Sequence, residues 1–564
     1  MRTVTADVLI VGSGGAGLYA AAKAAEAGVS VILVDKGLVG RSGATVSAAG
    51  LAATGPWSVQ DDSEESHYQD TLRSGQLINN RELVRLLVGQ AQARVREVEE
   101  WGLAFDHTED GTYFLDHVAG HSHPRALARS DRAGLGLAKV LRRRALQLGV
   151  EWQEDTFVTA IVTSDAKAAG LTAIDSRSGE FLVLCGKAVV LATGGIGQLY
   201  PMTSNPLRAM GDGIALALRV RAETMDMEQV QFYPAGLSWP ESLRGYGLGI
   251  VEHSRLFNRA GERFMNRYAP QHMEKSTRDA LARAIYSEIE AGRGGTHRGV
   301  YLDATEVPAE VFLNFRHEHE LCLERGIDLC TARAEVAPSA HYCMGGIRIN
   351  ARCETGVVGL FAAGEVTGGI MGANRLSGNS LADVTVFGAI AGREAANYAR
   401  TSRLVRLDDS AVTREHERIR ALCTRGRREG RPADLMNEIR RIMGDKAGVV
   451  RTEASLREAL RDLMVLNNDL SSVGIEKREL RFNSELTAYL EAENMLMVSR
   501  AIVSSALARR ESRGAHYVAD YPHRDDEHWL VNVIATLEGS DIRTCVRPVS
   551  SGQTAGCPAR EHKE

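Results

Sequence analysis

Residues 7–17 read DVLIVGSGGAG, a short β-branched apolar run that leads directly into a G-x-G-x-x-G turn. The run is typical of a fully buried parallel strand, and the alanine-rich residues 18–27 that follow predict a helix. Glycines at such a turn let the backbone approach a pyrophosphate, whose charge is stabilised by the N–H groups and dipole at the helix start. A second predicted strand, residues 29–34, ends at Asp35, where an acid can accept ribose hydroxyls. A lone glycine turn is common, but strand, helix and terminal acid in this order predict a dinucleotide site.

The composition is that of a large globular protein. The chain has 564 residues, 44% hydrophobic and 25% charged, and its formal net charge of −5 indicates no nucleic-acid partner. Its eight cysteines show no C-x-x-C spacing, so we predict a reducing compartment and no iron–sulfur, zinc or other metal site. The amino-terminal apolar run is a strand rather than a signal peptide, and no apolar run approaches the ~20 residues of a membrane span. We therefore expect a cytoplasmic chain with no membrane span of its own.

Further segments indicate that distant parts of the chain build one cofactor groove. A strand-like run at 188–192 leads into glycines, residues 359–365 form another strand that ends in an acid, and residues 372–381 read GANRLSGNSL. We therefore predict a discontinuous α/β nucleotide domain with an insertion, followed by charged amphipathic helices. The predicted boundaries are 1–236 and 336–404 for the nucleotide domain, 237–335 for the insertion, 405–540 for a helical domain and 541–564 for a disordered tail.

In this order, the motifs resemble the flavoprotein subunit family of succinate dehydrogenase and fumarate reductase, which has L-aspartate oxidase and adenylylsulfate reductase as relatives. The motifs are the glycine turn, ATGG at 192–195, GDG at 211–213, GERFMNRYAP at 261–270, AHYCMGG at 340–346, GANRL at 372–376 and DDEHWL at 525–530. The resemblance implies an α/β fold with a Rossmann-like FAD-binding domain, an inserted α+β capping domain and a C-terminal helical domain. It also implies an FAD-dependent enzyme that interconverts an α,β-unsaturated carboxylic acid and its saturated form by hydride transfer at flavin N5.

The resemblance places the FAD contacts on the glycine turn and on later segments of the same domain. The expected cofactor-binding residues are Gly12, Ser13, Gly14, Gly15, Ala16, Gly17, Asp35, Lys36, Ser42, Gly43, Thr193, Gly194, Asp212, Glu365, Ser380 and Leu381. In the respiratory members of the family the flavin is usually tied to a histidine in an Arg-Ser-His-Thr segment. This chain has Gly43 at the histidine's place. We therefore expect noncovalent FAD.

Other residues match family positions that handle the substrate and its proton. His341 and Arg375 match a clamp on one substrate carboxylate, to which a guanidinium offers two parallel donors. Arg278 matches the proton-transferring arginine, and Glu252 and Arg255 match the relay that returns its proton. A relay is needed because an arginine side chain, with a pKa above ~12, is a poor acid. Each residue alone is more often structural, but the intact motif order favours the catalytic interpretation.

Two departures from the family concern the far end of the substrate. Tyr233 stands where the family has a histidine and Val251 where it has a threonine, and both lost groups bind a second carboxylate. A buried carboxylate loses ~1–3 kcal/mol for each missing partner. We therefore expect a small carboxylic acid substrate with one carboxylate and a less charged or bulkier far end. The glycine-rich stretch that follows in the family is shortened here to residues 256–258, and the alternative is that His253 or backbone N–H groups of this shortened loop replace the lost donors.

Other interpretations stay open from the sequence alone. Residues 120–125, GHSHPR, resemble a segment of L-aspartate oxidase, but residues 117–119 replace the acid that addresses the amine there. No feature favours the nucleotide substrate of adenylylsulfate reductase. The chain could instead be an electron-entry module that docks to an iron–sulfur or other electron-transfer partner subunit through its helices and the basic cluster at 425–431. A binding protein that has lost catalysis is the remaining alternative, and the intact arginines argue against it.

Overall fold

The computed structural model describes residues 1–118, 120–129, 132–424, 426, 428 and 430–549. Its helices are α1 Gly15–Glu26, α2 Glu64–Ser74, α3 Arg81–Glu100, α4 Ala133–Gln147, α5 Asp212–Arg219, α6 Met265–Tyr268, α7 Arg278–Glu288, α8 Ala309–Phe312, α9 Arg316–Glu324, α10 Asn379–Thr401, α11 Asp409–Thr424, α12 Pro432–Lys446, α13 Glu453–Asn468 and α14 Ser484–Ala508. Its strands are β1 Arg2–Thr5, β2 Val8–Val11, β3 Val31–Val34, β4 Gly50–Ala52, β5 Leu115–Asp116, β6 Ala126–Ala128, β7 Glu151–Gln153, β8 Thr156–Ser164, β9 Lys167–Asp175, β10 Phe181–Cys185, β11 Ala188–Leu191, β12 Thr224–Met225, β13 Val230–Leu237, β14 Arg255–Phe257, β15 Val300–Asp303, β16 Ala334–Cys343, β17 Gly346–Arg348, β18 Leu360–Ala362, β19 Thr367–Gly368, β20 Val531–Glu538 and β21 Asp541–Pro548.

The nucleotide-binding core is a five-stranded parallel sheet with the order β18-β11-β2-β3-β7. Strands β2, β3 and β11 are buried along their whole length, which explains why each is an unbroken apolar run in the sequence. Helix α1 packs against this sheet and against α10. Because β18 lies beside β11, segments from both sides of the insertion share one sheet. The predicted fold class, a discontinuous Rossmann-like α/β domain, is confirmed.

The insertion has its own antiparallel sheet, β13-β16-β15-β14, and its own hydrophobic core between Tyr233 and Val336. Helix α7 packs against β13 and β16. Strands β13 and β16 pair with each other and run across the predicted boundaries at 236/237 and 335/336. The two domains are therefore joined through a continuous pair of strands, which places residues of the inserted domain beside the nucleotide domain.

The carboxyl-terminal part begins with the predicted helices, of which α12, α13 and α14 pack against one another. The expected disorder of residues 541–564 is wrong for its first part, because β21 pairs with β20 along its full length. Strand β20, from the predicted helical domain, in turn pairs with β12. The polar sequence of β21 is explained by its position as a partly exposed edge strand. Residues 550–564 lie outside the described residues.

A buried ion network fastens the end of α14 to the nucleotide domain. The guanidinium of Arg509 lies 2.7 Å from the carboxylate of Glu228 and 2.9 Å from that of Glu511, which also binds Arg513 at 2.6 Å. All four side chains are fully buried, so their charges depend on one another for compensation. Within the part of the chain that the structure describes, no helix is both long and apolar enough to cross a bilayer.

Candidate functional site

A cavity of about 460 Å³ lies at the carboxyl ends of β2, β3 and β11, where open α/β sheets bind ligands. The glycine turn, the loop after β11 and the segment around residues 375–381 form its wall on the nucleotide-domain side. Tyr246, Gly247, Gly249, Glu252 and His253 line it from the inserted domain, together with Glu318 in the first turn of α9. The cavity therefore brings together segments from distant parts of the chain.

The glycine turn ends at the cavity, but its members have different roles. A side chain at Gly12 would place its Cβ 2.4 Å from the carbonyl oxygen of Ala192, and one at Gly17 would place it 1.9 Å from that of Gly12. Gly14, at the start of α1, is more open, since its Cβ would meet only Thr45 Oγ1 at 3.7 Å. Gly17 is the one predicted turn residue that does not line the cavity. Its glycine is required by close backbone packing rather than by contact with a ligand.

Asp35 lies at the cavity and also braces the glycine turn. Its Oδ2 accepts hydrogen bonds from Ser13 N at 2.8 Å and Ser13 Oγ at 2.5 Å, and its Oδ1 accepts one from Gly37 N at 2.7 Å. The carboxylate is 8% exposed and lines the cavity. Asp35, which follows β3, thus stabilises the conformation of the glycine turn. It also lies at the position predicted for contact with a ribose.

Lys36 and Asp212 also line the cavity, but they are paired with each other. Lys36 Nζ lies 2.6 Å from the carboxylate of Asp212 and 2.6 Å from that of Glu491 on α14. Asn494, one turn further along α14, donates a hydrogen bond to Asp212 at 2.7 Å. Helix α14 therefore supports the cavity wall that contains Lys36 and Asp212. No local sequence pattern predicts this role for Glu491 and Asn494.

The remaining predicted cofactor residues give the cavity features that fit FAD. Ser42, Gly43, Gly194, Ser380 and Leu381 all line it. Thr193 Oγ1 is buried with no hydrogen-bond partner among the described residues, so a ligand could bind it there. Glu365, whose pKa burial raises to about 7, accepts a hydrogen bond from Cys343 N at 3.1 Å. Together with the open Gly14, these groups form a polar, glycine-lined groove suited to a dinucleotide.

Arg375 forms the cationic end of the cavity together with Arg278. The Arg375 guanidinium is 6% exposed and lies over the ring of Tyr342, with 4.8 Å from Cζ to the ring centroid. It donates to Gln231 Oε1 at 3.3 Å and to Ser380 Oγ at 3.4 Å, while its Nε is buried without a partner among the described residues. Burial and the nearby Arg278 lower the pKa of Arg375 to about 10. A buried cation held only by neutral groups is well suited to bind an anion.

Arg278 begins α7 and reaches the cavity from the inserted domain. Its Cζ lies 4.8 Å from the ring centroid of Tyr233, and its Nη2 donates to Ser377 Oγ at 3.4 Å. Its Nη1 is buried and, in the described part of the chain, has no partner. The Tyr233 hydroxyl donates to the carbonyl of Leu248 at 3.1 Å, so this donor is already used within the protein.

His341 lines the same end of the cavity in its neutral form. Burial, reinforced by the charges of Arg375 and Arg278, lowers the pKa of His341 well below its usual value. Its Nδ1 is hydrogen-bonded to Ser204 Oγ at 2.7 Å, which fixes the orientation of the ring. The structure therefore brings together Arg278, His341 and Arg375, the three residues predicted to handle a carboxylate and a proton.

The predicted relay is divided by the structure. Glu252 lines the cavity, and burial raises its pKa, although the charge of Arg278 opposes this shift. Arg255, however, does not line the cavity, and its 45% exposed side chain pairs with Glu306 at 2.7 Å. The assignment of Arg255 to the relay is therefore not supported, because β14 directs its side chain to the surface. Two residues that the sequence did not single out, Asp116 and His117, line the cavity near Glu252 instead, as does His253, which the sequence offered as an alternative donor.

Val251 and the segment at 120–125 have structural roles. Val251 is 2% exposed and belongs to the core of the inserted domain while lying next to Glu252. Arg125 is fully buried between Asp62 and Asp70, at 2.7 and 2.6 Å. His121 hydrogen-bonds the carbonyl of Ser377 through Nε2 at 2.7 Å. The segment that resembles L-aspartate oxidase thus braces the loop around Ser377, and neither His121 nor Arg125 lines the cavity.

One surface cluster qualifies the expectation of no metal site. His319, Asp328 and Cys330 place a nitrogen, an oxygen and a sulfur within 4.8 Å of one another in the inserted domain. None of the three lines the cavity, and Cys330 is exposed. The cluster has no connection to the chemistry of the cavity.

Comparisons with known proteins agree with this site. Residues 7–381 match the FAD binding domain family, and residues 436–561 match the fumarate reductase flavoprotein C-term family. The chain is 40% identical to a subunit of the CoM/CoB fumarate reductase of Methanothermobacter marburgensis, over 94% of this chain and 96% of that one. It is 35% identical to the fumarate reductase flavoprotein subunit of Mycobacterium tuberculosis, over 97% of this chain and 98% of that one.

The fold is also similar to that of solved relatives. The flavoprotein chain of E. coli quinol fumarate reductase superposes with a TM-score of 0.91 at 30% identity, covering 99% of both chains. These matches extend over both domains and over the C-terminal helices, and they favour this family over the alternatives that the sequence left open. The chain therefore belongs to the flavoprotein subunit family of fumarate reductase and succinate dehydrogenase, FAD-dependent oxidoreductases that act on CH–CH bonds.

Proposed function

We propose that the protein reduces the double bond of an α,β-unsaturated carboxylic acid, with Arg375 and His341 holding the carboxylate and Arg278 supplying the proton. The observation that carries this proposal is a pair of guanidinium groups that line one cavity, Arg375 buried and Arg278 partly buried. Each has a buried nitrogen without a partner among the described residues, Arg278 Nη1 and Arg375 Nε. Neither forms an ion pair with a carboxylate among the described residues. An anionic substrate would supply the missing partner.

The positions of these groups suit acrylate reduction. FAD bound in the glycine-lined groove would supply the hydride from N5. A guanidinium and an oriented neutral imidazole on the carboxylate withdraw electrons from the double bond and stabilise the charge that develops on the acid. Arg278 reaches the cavity from the inserted domain and would protonate the neighbouring carbon. Its proton must then be returned by a nearby acid, and Glu252, whose pKa is raised by burial, would supply it.

We further propose that the FAD is held without a covalent link. No histidine is present at position 43, and a side chain there would approach Gly14 Cα at 3.2 Å. The groups that hold the cofactor would be the glycine turn, Asp35, Thr193 and the start of α10, all of which line the groove.

Acid precipitation of the purified protein is expected to release yellow FAD into the supernatant, because residues 41–46 offer no imidazole to bind it covalently. The measurement is the flavin absorbance of the supernatant and the fluorescence of the protein band on a denaturing gel. Flavin that remains with the pellet and fluoresces with the band would contradict the proposal.

Arg278→Ala is expected to keep FAD bound and reducible by dithionite but to slow reoxidation by substrate about 10²- to 10⁴-fold, the usual contribution of a general acid. Arg375→Ala should instead raise KM most, since it weakens the carboxylate clamp. Arg283→Ala is the matched control, because Arg283 lies on the same helix, pairs with Asp279 and does not line the cavity. An effect of Arg278→Ala below about tenfold would remove this residue from the proton-transfer role.

Glu252→Gln is expected to lower kcat about 10²-fold or more, because Arg278 then loses its proton source. Burial raises the pKa of Glu252, so its protonated form persists to higher pH. The wild-type rate of reduction should fall as the pH rises through this pKa, and the glutamine variant should lack that decline.

Arg255→Ala distinguishes two routes of proton return. A loss of activity as large as that of Glu252→Gln would mean that Arg255 enters the cavity during turnover.

We also propose an electron-transfer partner subunit. Both of the relatives described above are named as subunits of a fumarate reductase rather than as whole enzymes. In the basic cluster at 425–431, residues 425, 427 and 429 lie outside the described residues, so the cluster contributes no structural argument. Purification of the protein from its native source should yield a heteromer with iron–sulfur absorption. A homogeneous yellow protein that is fully active with a free electron donor would contradict this proposal.

A further inference from the structure

The inserted domain places an acidic side chain, Glu318, in the wall of the cavity. Glu318 lies on α9, is 6% exposed and lines the same cavity as Arg278 and Tyr233. Its Oε2 accepts a hydrogen bond from Gly249 N at 2.6 Å, and its Oε1 accepts one from Ile250 N at 3.3 Å. These two N–H groups lie at the start of the segment 249–253, which carries Val251 and Glu252.

The position of Glu318 is held by packing around it. Cys322, one helical turn further along α9, is fully buried in the core of the inserted domain. A side chain at Gly249 would place its Cβ 2.8 Å from the ring of Phe315 and 3.3 Å from Glu318 Oε2. The residues at the start of α9 therefore pack closely against Gly249. This packing keeps the carboxylate of Glu318 next to the two N–H groups.

Three acidic side chains, Glu318, Glu252 and Asp116, line the cavity together with Arg278 and Arg375. Burial raises the pKa of Tyr233, the charge of Arg278 opposes this shift, and the charges of Glu318 and Glu252 add to it. The Tyr233 hydroxyl is already bonded to Leu248, the residue before Gly249. A second substrate carboxylate would therefore meet a buried negative charge and donors that are already used.

We propose that Glu318 is an internal carboxylate that takes the place of a second substrate carboxylate and so determines specificity. The protein then selects unsaturated acids with one carboxylate and an uncharged, hydrogen-bond-donating far end, such as the monoamide of fumaric acid, over fumarate itself. This inference rests on the proposed function, because it assumes that Arg375 and His341 hold the other carboxylate.

The electrostatic reason is that like charges in a buried site disfavour each other, whereas an amide can donate a hydrogen bond to a carboxylate. A buried charged acceptor therefore favours ligands that can donate to it over ligands that bring a like charge. Glu252 also lines the cavity, and the charges of Arg278 and His253 oppose the effect of burial on its pKa. Glu318 is the acid that binds the N–H groups of Gly249 and Ile250, so its replacement tests the preference for the far end directly.

The test compares the FAD-loaded wild type with Glu318→Gln, Glu318→Asp and the control Glu320→Gln. Glutamine keeps the size and an acceptor oxygen but removes the charge, and aspartate keeps the charge. Glu320 lies on the same helix, is exposed, pairs with Arg316 and does not line the cavity. Dissociation constants for fumarate and its monoamide are measured with oxidised protein from the change in flavin absorbance. The kcat/KM values follow from reoxidation of the reduced flavin by each acid.

The wild type, Glu318→Asp and Glu320→Gln are expected to prefer the monoamide by at least about tenfold in kcat/KM, whereas Glu318→Gln should shift the ratio toward fumarate by at least about tenfold. A wild type that prefers fumarate tenfold, or a Glu318→Gln ratio within about threefold of the wild type, would overturn the inference. Should Glu318→Gln lose its flavin, the wild-type and aspartate ratios decide. If neither acid reoxidises the flavin, the proposed function fails, while the two dissociation constants still report the effect of Glu318 on binding.

Discussion

Two guanidinium groups that line a single cavity, Arg375 buried and Arg278 partly buried, are the constraint on which the rest of the site depends. Arg278 and Arg375 repel each other, and burial with this repulsion lowers the pKa of Arg375 to about 10. They are held by hydroxyls, an amide and the faces of Tyr233 and Tyr342 rather than by carboxylates. Neutral partners orient the two cations without neutralising their charge, so the guanidinium groups can still bind an anion.

This arrangement needs three separate parts of the chain to meet. Arg278 comes from the first turn of α7 in the inserted domain, His341 from β16 and Arg375 from the loop before α10. The continuous strands β13 and β16 connect the two domains, and His121 braces the loop around Ser377. In the cofactor groove, Lys36 forms ion pairs with both Asp212 and Glu491 of α14. The buried ion network around Arg509 holds the end of the same helix. The helices thus stabilise the cofactor groove from outside the nucleotide domain.

The cavity is polar along its length as well as charged at its end. A carboxylate at the arginine end and an uncharged group beside Glu318 would match the distribution of charge that the side chains create. In this view the residues at positions 233 and 251 and the buried acceptor on α9 act together at the far end of the substrate. Glu318 satisfies the backbone N–H groups of Gly249 and Ile250 inside the protein.

The sequence by itself determined the features that depend on local pattern. The buried strands, the glycine turn, Asp35 and the ordered motifs that carry Arg278, His341 and Arg375 were all readable, because strand burial and backbone approach impose residue types at fixed spacing. Only the tertiary structure decided which side chains share the cavity. It turned Arg255 to the surface toward Glu306, showed Gly17 to be a packing residue and paired the polar strand β21 with β20. It also brought Glu318 to the cavity, and Glu491 to the cavity-lining Lys36, from helices far along the chain. Such contacts follow from how helices and loops pack in three dimensions, and no spacing along the chain encodes them.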